Sequence, residues 1–523
     1  MTADTVHARR WWILGVLILS LFAATLDNTI LNVALPTLAR ELHATTSQLQ
    51  WMVDSYVLVF AGLLLVAGAL SDRHGRRLAL LGGLAIFGVG SVVSAFVTTA
   101  DQLILARAFM GLGAALTMPA TLSIIANVFD ETERPKAIAA WSAVSGLGIV
   151  VGPILGGWLV EHFAWNAIFL VNVPVVVLGI AAILAVVPES KAAAAPRLDP
   201  VGAILSVGGL VALVYGIIEV PAHGWGDPAI VVSLSAAVVL LGAFLVWERR
   251  VAEPMLDIRL FRNPRFSAAS LSVTLVFFSL MGVLFFLTQY LQGVLGLTAL
   301  ETGIRFVPLA LGIVASAPVS AVLTNRFGAK VSTAFGLLVT AGSLGLLATV
   351  NVASGDLLIG SVLAIAGFGV GVAMTPSTDA IMGALPKEQA GVGSAVNDTT
   401  REIGGAIGVA ILGSVLSAVY SGRMQDVSAA LPTEVGAIVR DSIGGALAVA
   451  EGVGGAAGAA ITVAARAAFV DGMAAASIIG MVVAIGGAVI ALVWLPARSA
   501  AVAEEIAPET EPGLGGARSV AAA

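Results

Sequence analysis

Four charged side chains stand in or at the edge of stretches that are otherwise apolar. They are Asp27 in the run Trp11–Pro36, Asp54 in 49–70, Arg107 in 102–128, and Glu402 at the start of 402–421. An ionisable group in hydrocarbon costs about 2.5–3.5 kcal/mol even on the lenient insertion scale, so it faces protein or a wet cavity and marks a proton or ion pathway. The chemistry open to Asp27 is uptake and release of a proton; the alternative is a structural Asp held by neighbouring helices. A buried Arg needs an anionic partner. At about 1.5 Å rise per residue, Asp27, Asp54 and Arg107 fall at broadly similar depth, so either Asp can serve Arg107. If Arg107 pairs with Asp54, Asp27 is left free to titrate. Glu402, next to Arg401, reads as a second proton or cation site or as an interfacial acid, and its place near a span end favours the interfacial reading. Glu219 and Asp379 also fall at span ends and read as wetted.

The elements that must position these groups follow from composition. The chain has 523 residues, 58% of them hydrophobic and 11% charged, with a mean hydropathy of +1.00. Soluble proteins carry about 25% charged residues, so this is an all-α polytopic membrane protein in which backbone polar groups are satisfied within helices. Continuous rather than alternating apolar runs exclude a β-barrel. The formal charge of −6 and the absence of a basic block give no sign of nucleic acid. With no cysteine there is no disulfide, thiolate metal site or thiol nucleophile. The five histidines fall outside the apolar runs, and no His-Glu-x-x-His or nucleophile triad is present. A membrane-embedded enzyme is therefore the remote alternative, and no metal or other cofactor is expected.

Apolar segments of about 20 residues fall at 12–36, 49–70, 78–98, 102–128, 137–160, 166–187, 200–220, 229–247, 267–292, 302–324, 332–350, 357–380, 402–421 and 472–495. The first reads as a retained span and not a signal peptide, because no small-residue cleavage site follows it. With the N-terminus inside, 20 of the 26 Lys and Arg fall in cytoplasmic segments, and Arg107 and Arg305 fall within spans. That asymmetry places both termini in the cytoplasm. Residues 422–470 are Ala- and Gly-rich with scattered charges and read as an external helical hairpin; 499–523 read as a disordered cytoplasmic tail.

An internal repeat organises the spans. Gly68-Ala-Leu-Ser-Asp72-Arg73-His-Gly75-Arg76-Arg77 is echoed by Ala321-Val-Leu-Thr-Asn325-Arg326-Phe-Gly328-Ala-Lys330 at a separation of 253. Gly111-Leu-Gly113 and Gly367-Phe-Gly369 are 256 apart. Helix n matches helix n+8, which divides the chain into a six-helix half (1–190), two inserted helices with linkers (191–265) and a second six-helix half (266–498). Parallel repeats of this kind are a secondary-transporter plan. Asp27's counterpart falls near Leu280, so the acid chemistry is expected in the first half alone; Glu402 corresponds to Ser145.

The loop Gly68–Arg77 resembles the signature of the major facilitator superfamily. Gly75 suits an unusual backbone angle, Gly68 a close helix approach, and Asp72 a helix end or a base. Such a loop is expected to latch the two halves together. Arg107 with Gly111 and Gly113 resembles the family's fourth-helix motif. Ser145-Gly146-x-Gly148-x-x-x-Gly152-Pro153-x-x-Gly156-Gly157 resembles the motif of its drug–proton antiporters. Leu26-Asp27-Asn28-Thr29 through Pro36 is similar to the first-helix motif of their 14-span branch, as is Trp165–Pro174, although Asn166 stands where a basic residue is common. The resemblance implies a major facilitator fold of 6+2+6 helices. It also implies a proton-coupled antiporter that exports amphipathic drugs or antibiotics across the cytoplasmic membrane, with proton coupling by Asp27, Arg107, Asp54 and Glu402.

The expected partners are the lipid bilayer and a small amphipathic, cationic substrate, with the protein a monomer and the proton gradient its energy source. No phosphate-binding loop is present. Asn28, Asn32, Met118, Gln289, Tyr290 and Met374 are candidates for the substrate path. The phenylalanines of 267–292 read mainly as packing. Export of one self-made metabolite or small solute on the same fold is the alternative.

Overall fold

The computed structural model describes residues 3–130, 133–191, 199–252, 254, 256–383 and 390–495. The tail 499–523, with Arg197, Lys387, Arg498 and Arg518, lies outside the described residues, as does the Asp72 side chain. The first half contains α1 (Ala3–Glu41), α2 (Thr46–His74), α3 (Arg76–Phe96), α4 (Ala100–Val128), α5 (Arg134–His162), the short α6 (Ala167–Leu170) and α7 (Asn172–Val186). Two inserted helices follow, α8 (Pro200–His223) and α9 (Pro228–Glu248). The second half holds α10 (Pro264–Gln289), which runs on through a π-helical turn at Tyr290–Val294, then α11 (Ala299–Arg305), α12 (Val307–Leu347), α13 (Asp356–Met382) and α14 (Ala390–Arg423). Next come α15 (Gln425–Ala429), α16 (Thr433–Asp441), α17 (Ile443–Val453) and α18 (Gly455–Trp494).

Eleven helical stretches among the described residues are long and apolar enough to cross a bilayer. One of them contains α12, which is broken at Gly328 into two crossings. Helices α2 and α5, 29 residues each, also exceed the roughly 20 residues that a crossing needs. The architecture is six helices, two inserted helices and six helices. The side on which α1 begins is called the near side below, and the other the far side.

In lipid there is no hydrophobic drive between helices, so close packing through small residues carries the association. The glycines do this in matched pairs. A Cβ on Gly111 would strike the Tyr56 carbonyl, and one on Gly367 the Leu309 carbonyl. One on Gly113 would strike Gly83 and Phe87, and one on Gly369 Gly336 and Thr340. Each partner pair is 253 apart, so α4 on α2 and α3 repeats as α13 on the two parts of α12. Likewise Gly148 and Gly152 press on Thr25 and Thr29, while Gly404 and Gly408 press on Thr274 and Phe278. Here α1 and α10 are related by 249, so the counterpart of Asp27 is Val276 rather than Leu280. The 256 separation of α5 and α14 pairs Glu402 with Gly146 rather than Ser145. Both loop glycines take positive φ, Gly75 at 128° and Gly328 at 85°, as the echoed motif predicts.

Several boundaries differ from expectation. Helix α14 starts at Ala390, not at 402, because the polar run Asn397–Glu402 lowers hydropathy without breaking the helix. Helix α18 starts at Gly455, not at 472, so the last crossing extends outward as one arm of a hairpin whose other arm is α17; Gly454 and Gly455 turn the chain at positive φ. Arg305, expected within a span, ends α11 and pairs bidentately with Asp356 at 3.0 and 2.9 Å. Among the described residues, the hydrogen bonds of the loop at Gly75 fall within the first half; the Asp72 side chain expected to latch the halves lies outside them. Arg77 donates to Leu184 O (2.8 Å) and through its backbone N–H to Glu189 (3.2 Å), and Arg76 donates to Ser123 O (3.3 Å). Arg73 is exposed. A Cβ on Gly68 would meet Pro119 at an ordinary 3.7 Å, so close approach does not require glycine there.

Among the described residues, the hydrogen bonds that join the halves lie on the far side. Gln50 Nε2 donates to the carbonyls of Val409 and Ala410 (3.0 and 3.1 Å), and Gln292 Nε2 donates to Val33 O (2.8 Å). Thr46, at the start of α2, donates its backbone N–H to the Asp441 carboxylate (3.2 Å) and its hydroxyl to the Asp441 carbonyl (2.8 Å). Burial raises the Asp441 carboxyl above its ordinary range and the charge of Glu219 adds to this; the Thr46 N–H and Arg440 oppose it. Glu219, expected to be wetted, accepts a hydrogen bond from Ser47 and is 15% exposed. The inserted α8 packs on both α2 and α14, with Ser414 donating to Ile217 O at 2.9 Å.

The glycine contacts carry a testable contrast. Gly113→Leu, placed against backbone, is expected to destabilise the purified protein by about 1–3 kcal/mol, the usual range for overpacking, whereas Gly68→Ala leaves the thermal midpoint unchanged. Equal effects of the two substitutions would contradict this packing.

Candidate functional site

The site forms where α1, α2, α4 and α7 meet. Arg107 is fully buried and Asp27 is 2% exposed. Arg107 Nη1 donates to Asp27 Oδ2, and Nε donates to Met52 O at 3.2 Å. The guanidinium carbon sits 4.3 Å from the centre of the Tyr56 ring, a cation–π contact. On the other side, Asn172 Nδ2 donates to Asp27 Oδ1 at 2.8 Å and reaches Ser91 Oγ at 3.1 Å. Asn172 and Ser91 are each fully buried.

This corrects the pairing left open above: Arg107 holds Asp27, not Asp54. Asp54 is fully buried, and neither of its carboxylate oxygens has a hydrogen-bond partner. Arg107 Nη2 is likewise without an acceptor. Met52 and Tyr56, which meet the Arg107 guanidinium, are one turn apart on α2, whereas Asp54 is one turn from Gln50, which faces α14.

The antiporter-like motif of α5 divides between two faces. Gly148, Gly152 and Gly156 lie on α1 at Thr25, Thr29 and Ile30, and Thr29 Oγ1 donates to Gly148 O at 2.8 Å. Gly157 and the Pro153 carbonyl face α11 of the other half, at Ala299 and Gly303. Helix α5 therefore touches both the helix that carries Asp27 and the opposite half.

Buried acids are not confined to the first half. Asp398, which hydropathy placed outside any span, is 7% exposed on α14 and lies 3.4 Å from Arg401 Nη1. Arg401 stands 4.9 Å from the Phe277 ring centre and 3.9 Å from Met374 Sδ. Glu402, expected at the interface, is the thirteenth residue of α14, about 18 Å along the helix, and is partly buried.

Of the remaining candidates, Asn28 and Met118 are half-buried, and Asn32 is 7% exposed and donates to Asn28 O. Gln289 lines a cavity on the far side. Tyr290, expected on the path, is fully buried and donates its hydroxyl to Asn351 O at 2.8 Å, which fixes it as a packing residue. Phe285 and Phe286 are fully buried core. Sequence reasoning missed Asn172 as the donor to Asp27 and Ser91 as the acceptor behind Asn172; the buried Asn within Trp165–Pro174 was the available signal.

A sequence model of the Major Facilitator Superfamily matches residues 17–409. This chain belongs to that superfamily. It is 36% identical to the Multidrug efflux pump LfrA of Mycolicibacterium smegmatis, over 92% of this chain and 95% of that protein. It is 34% identical to the Tetracenomycin C resistance and export protein of Streptomyces glaucescens, over 79% of this chain and 77% of that one. The fold is similar to that of a bacterial homologue of the human lysosomal transporter Spinster, with a TM-score of 0.66, 17% identity and coverage of 92% and 96%. The superfamily and its transporter folds place this chain among transporters.

The asymmetry between the two acids of the site is measurable. Removing one member of a buried pair costs about 3–5 kcal/mol, so Arg107→Ala is expected to lower the thermal midpoint strongly. Asp54→Asn, which breaks no contact, is expected to shift stability by under about 1 kcal/mol. Equal loss from both substitutions would contradict the assigned pairing.

Proposed function

We propose that this protein is a proton-coupled antiporter that exports amphipathic, mainly cationic small molecules across the cytoplasmic membrane, with the near side and both termini in the cytoplasm. The observation that carries this reading is the buried guanidinium of Arg107 bound to the buried carboxylate of Asp27 among membrane-spanning helices. The efflux and resistance proteins to which the chain is similar support the cargo class, and the bias of Lys and Arg toward the near side supports the orientation.

In the proposed cycle a proton from the far side adds to Asp27 Oδ2 and cancels the charge that holds Arg107. Arg107 then keeps only its contacts to α2, the Met52 carbonyl and the Tyr56 ring, so the α1–α4 tie is released while the α2–α4 tie remains. Helix α2 carries Gln50 and Thr46, which close the far side against the second half, so a change at Arg107 reaches the gate through one rigid helix. Loss of the proton to the cytoplasm restores the Arg107–Asp27 pair. The free energy comes from the proton gradient and no cofactor takes part. Asp398, Arg401, Glu402 and Phe277 line the second half with charge and an aromatic face that suit a cationic lipophile.

A narrower cargo, one self-made antibiotic, is the second reading; the tetracenomycin relative favours it. Reconstitution into liposomes with an imposed pH gradient tests the proposal. Wild-type protein is expected to move a fluorescent lipophilic cation against its gradient, and Asp27→Asn to abolish gradient-driven movement while leaving the protein folded. Full gradient-driven transport by Asp27→Asn, or wild-type movement indifferent to pH, would overturn it. Competition by unrelated cations, or by one antibiotic alone, separates the two cargo readings.

A further inference from the structure

A cavity of about 740 Å³ opens on the far side, walled by the end of α1, the end of α5, the π-helical turn after α10, and α17 of the hairpin. It is separate from the Asp27 site. Five residues beyond Asp27 on α1, Asn32 borders a void of only about 10 Å³, closed by Leu284, Phe306, Leu309 and Pro153. That space holds one water at most. One turn further along α1, at Pro36, the large cavity begins. The order along the helix is therefore buried acid, apolar plug, cavity.

The lining of this cavity has a definite chemistry. Glu41, Glu161 and Glu451 reach it from three different elements, all exposed and with no ion-pair partner among the described residues, against the single basic side chain of Arg40 in its lining. Arg466, behind the wall, spends Nε on the Gly293 carbonyl at 3.2 Å. Ile443 and Leu447 of α17 supply an apolar wall. Gln289 is a second and independent pointer. It is 4% exposed and lines the cavity, its Nε2 is spent on Phe285 O, and its Oε1 has no protein donor among the described residues. It offers a buried acceptor to whatever enters. The π-helical turn beside it is a departure from α-helix that recurs at functional sites.

We infer that this far-side cavity is a second binding site for an amphipathic organic cation, the place where cargo rests after passing the plug at Leu284, Phe306 and Leu309. The inference takes its direction of passage from the proposed export. The site itself requires only that a cation with an apolar body gain from three carboxylates, one apolar wall and one free amide oxygen. Because α17 forms a wall and Asp441, beside it, binds Thr46 of α2, occupancy of the cavity also touches the hairpin that closes the far side.

The absence of cysteine allows a direct test. Ala448→Cys places a single thiol on the exposed lining of α17. In the full-length reconstituted protein, the labelling rates of a trimethylammonium methanethiosulfonate and of its sulfonate analogue are compared, each relative to free cysteine. Charge focusing raises local counter-ion concentration by about 10-fold or more, so the cationic reagent is expected to react at least ~10-fold faster. Glu41→Gln, Glu161→Gln and Glu451→Gln together are expected to return the ratio to that of free cysteine. Tetraphenylphosphonium is expected to slow labelling saturably, and to lose that effect in the triple variant. Equal rates for the two reagents, or protection that does not saturate or ignores the three substitutions, would overturn the site. The labelling needs no pH gradient, so it stands or falls independently of transport. Protection that persists in Asp27→Asn keeps the site even if antiport fails.

Discussion

A guanidinium buried in a bilayer must keep an anion, and the rest of this molecule is arranged around how Arg107 does so. Its present partner is Asp27, oriented by Asn172 and backed by Ser91. Its other contacts, the Met52 carbonyl and the Tyr56 ring, are on α2. Breaking one pair without making another would cost several kcal/mol in this environment. In the proposed cycle the proton gradient meets that cost: a proton on Asp27 removes the tie of Arg107 to α1 and leaves its ties to α2, which bears the residues that close the far side.

The scaffold is symmetric while the chemistry is not. Glycine contacts at Gly111 and Gly367, Gly113 and Gly369, and Gly152 and Gly408 repeat the same helix–helix geometry in each half. On that shared frame the first half places Asp27, Asp54 and Arg107, and the second places Asp398, Arg401 and Glu402 on α14, where α5 carries small residues. Val276 stands where Asp27 would be. Two identical frames allow the halves to rock as rigid bodies, and two different charge sets let each half do a different task. The inserted α8 breaks the symmetry further by packing against both α2 and α14 along one side of the contact between the halves.

Much of this was legible in the sequence because it depends on spacing within one helix. The echo of Gly75 in Gly328, the small-residue runs of α4 and α13, and the isolated Asp27 and Arg107 all follow from local pattern. Pairing across helices did not follow. Asp27 and Asp54 sit at similar depth, and only the rotation of α1 and α2 about their axes decides which one meets Arg107. Asp398 escaped because Asn397–Glu402 is polar enough to resemble an interface, while helix packing at Gly404 carries the element straight through it. The loop at Gly68–Arg77 was recognisable as a motif, but its partners Leu184 and Glu189 come from a distant part of the chain. Tyr290 was misplaced for the same reason: its carbonyl acceptor on Asn351 lies in another loop.

The central claim is that Asp27 takes the proton and that this changes the hold on Arg107. Infrared difference spectroscopy of the lipid-reconstituted protein, recorded as the pH is lowered, reads this most directly. A carboxylic-acid C=O band is expected to grow on acidification together with a shift in the guanidinium bands, both absent in Asp27→Asn. An unchanged pair of signals in Asp27→Asn would contradict it.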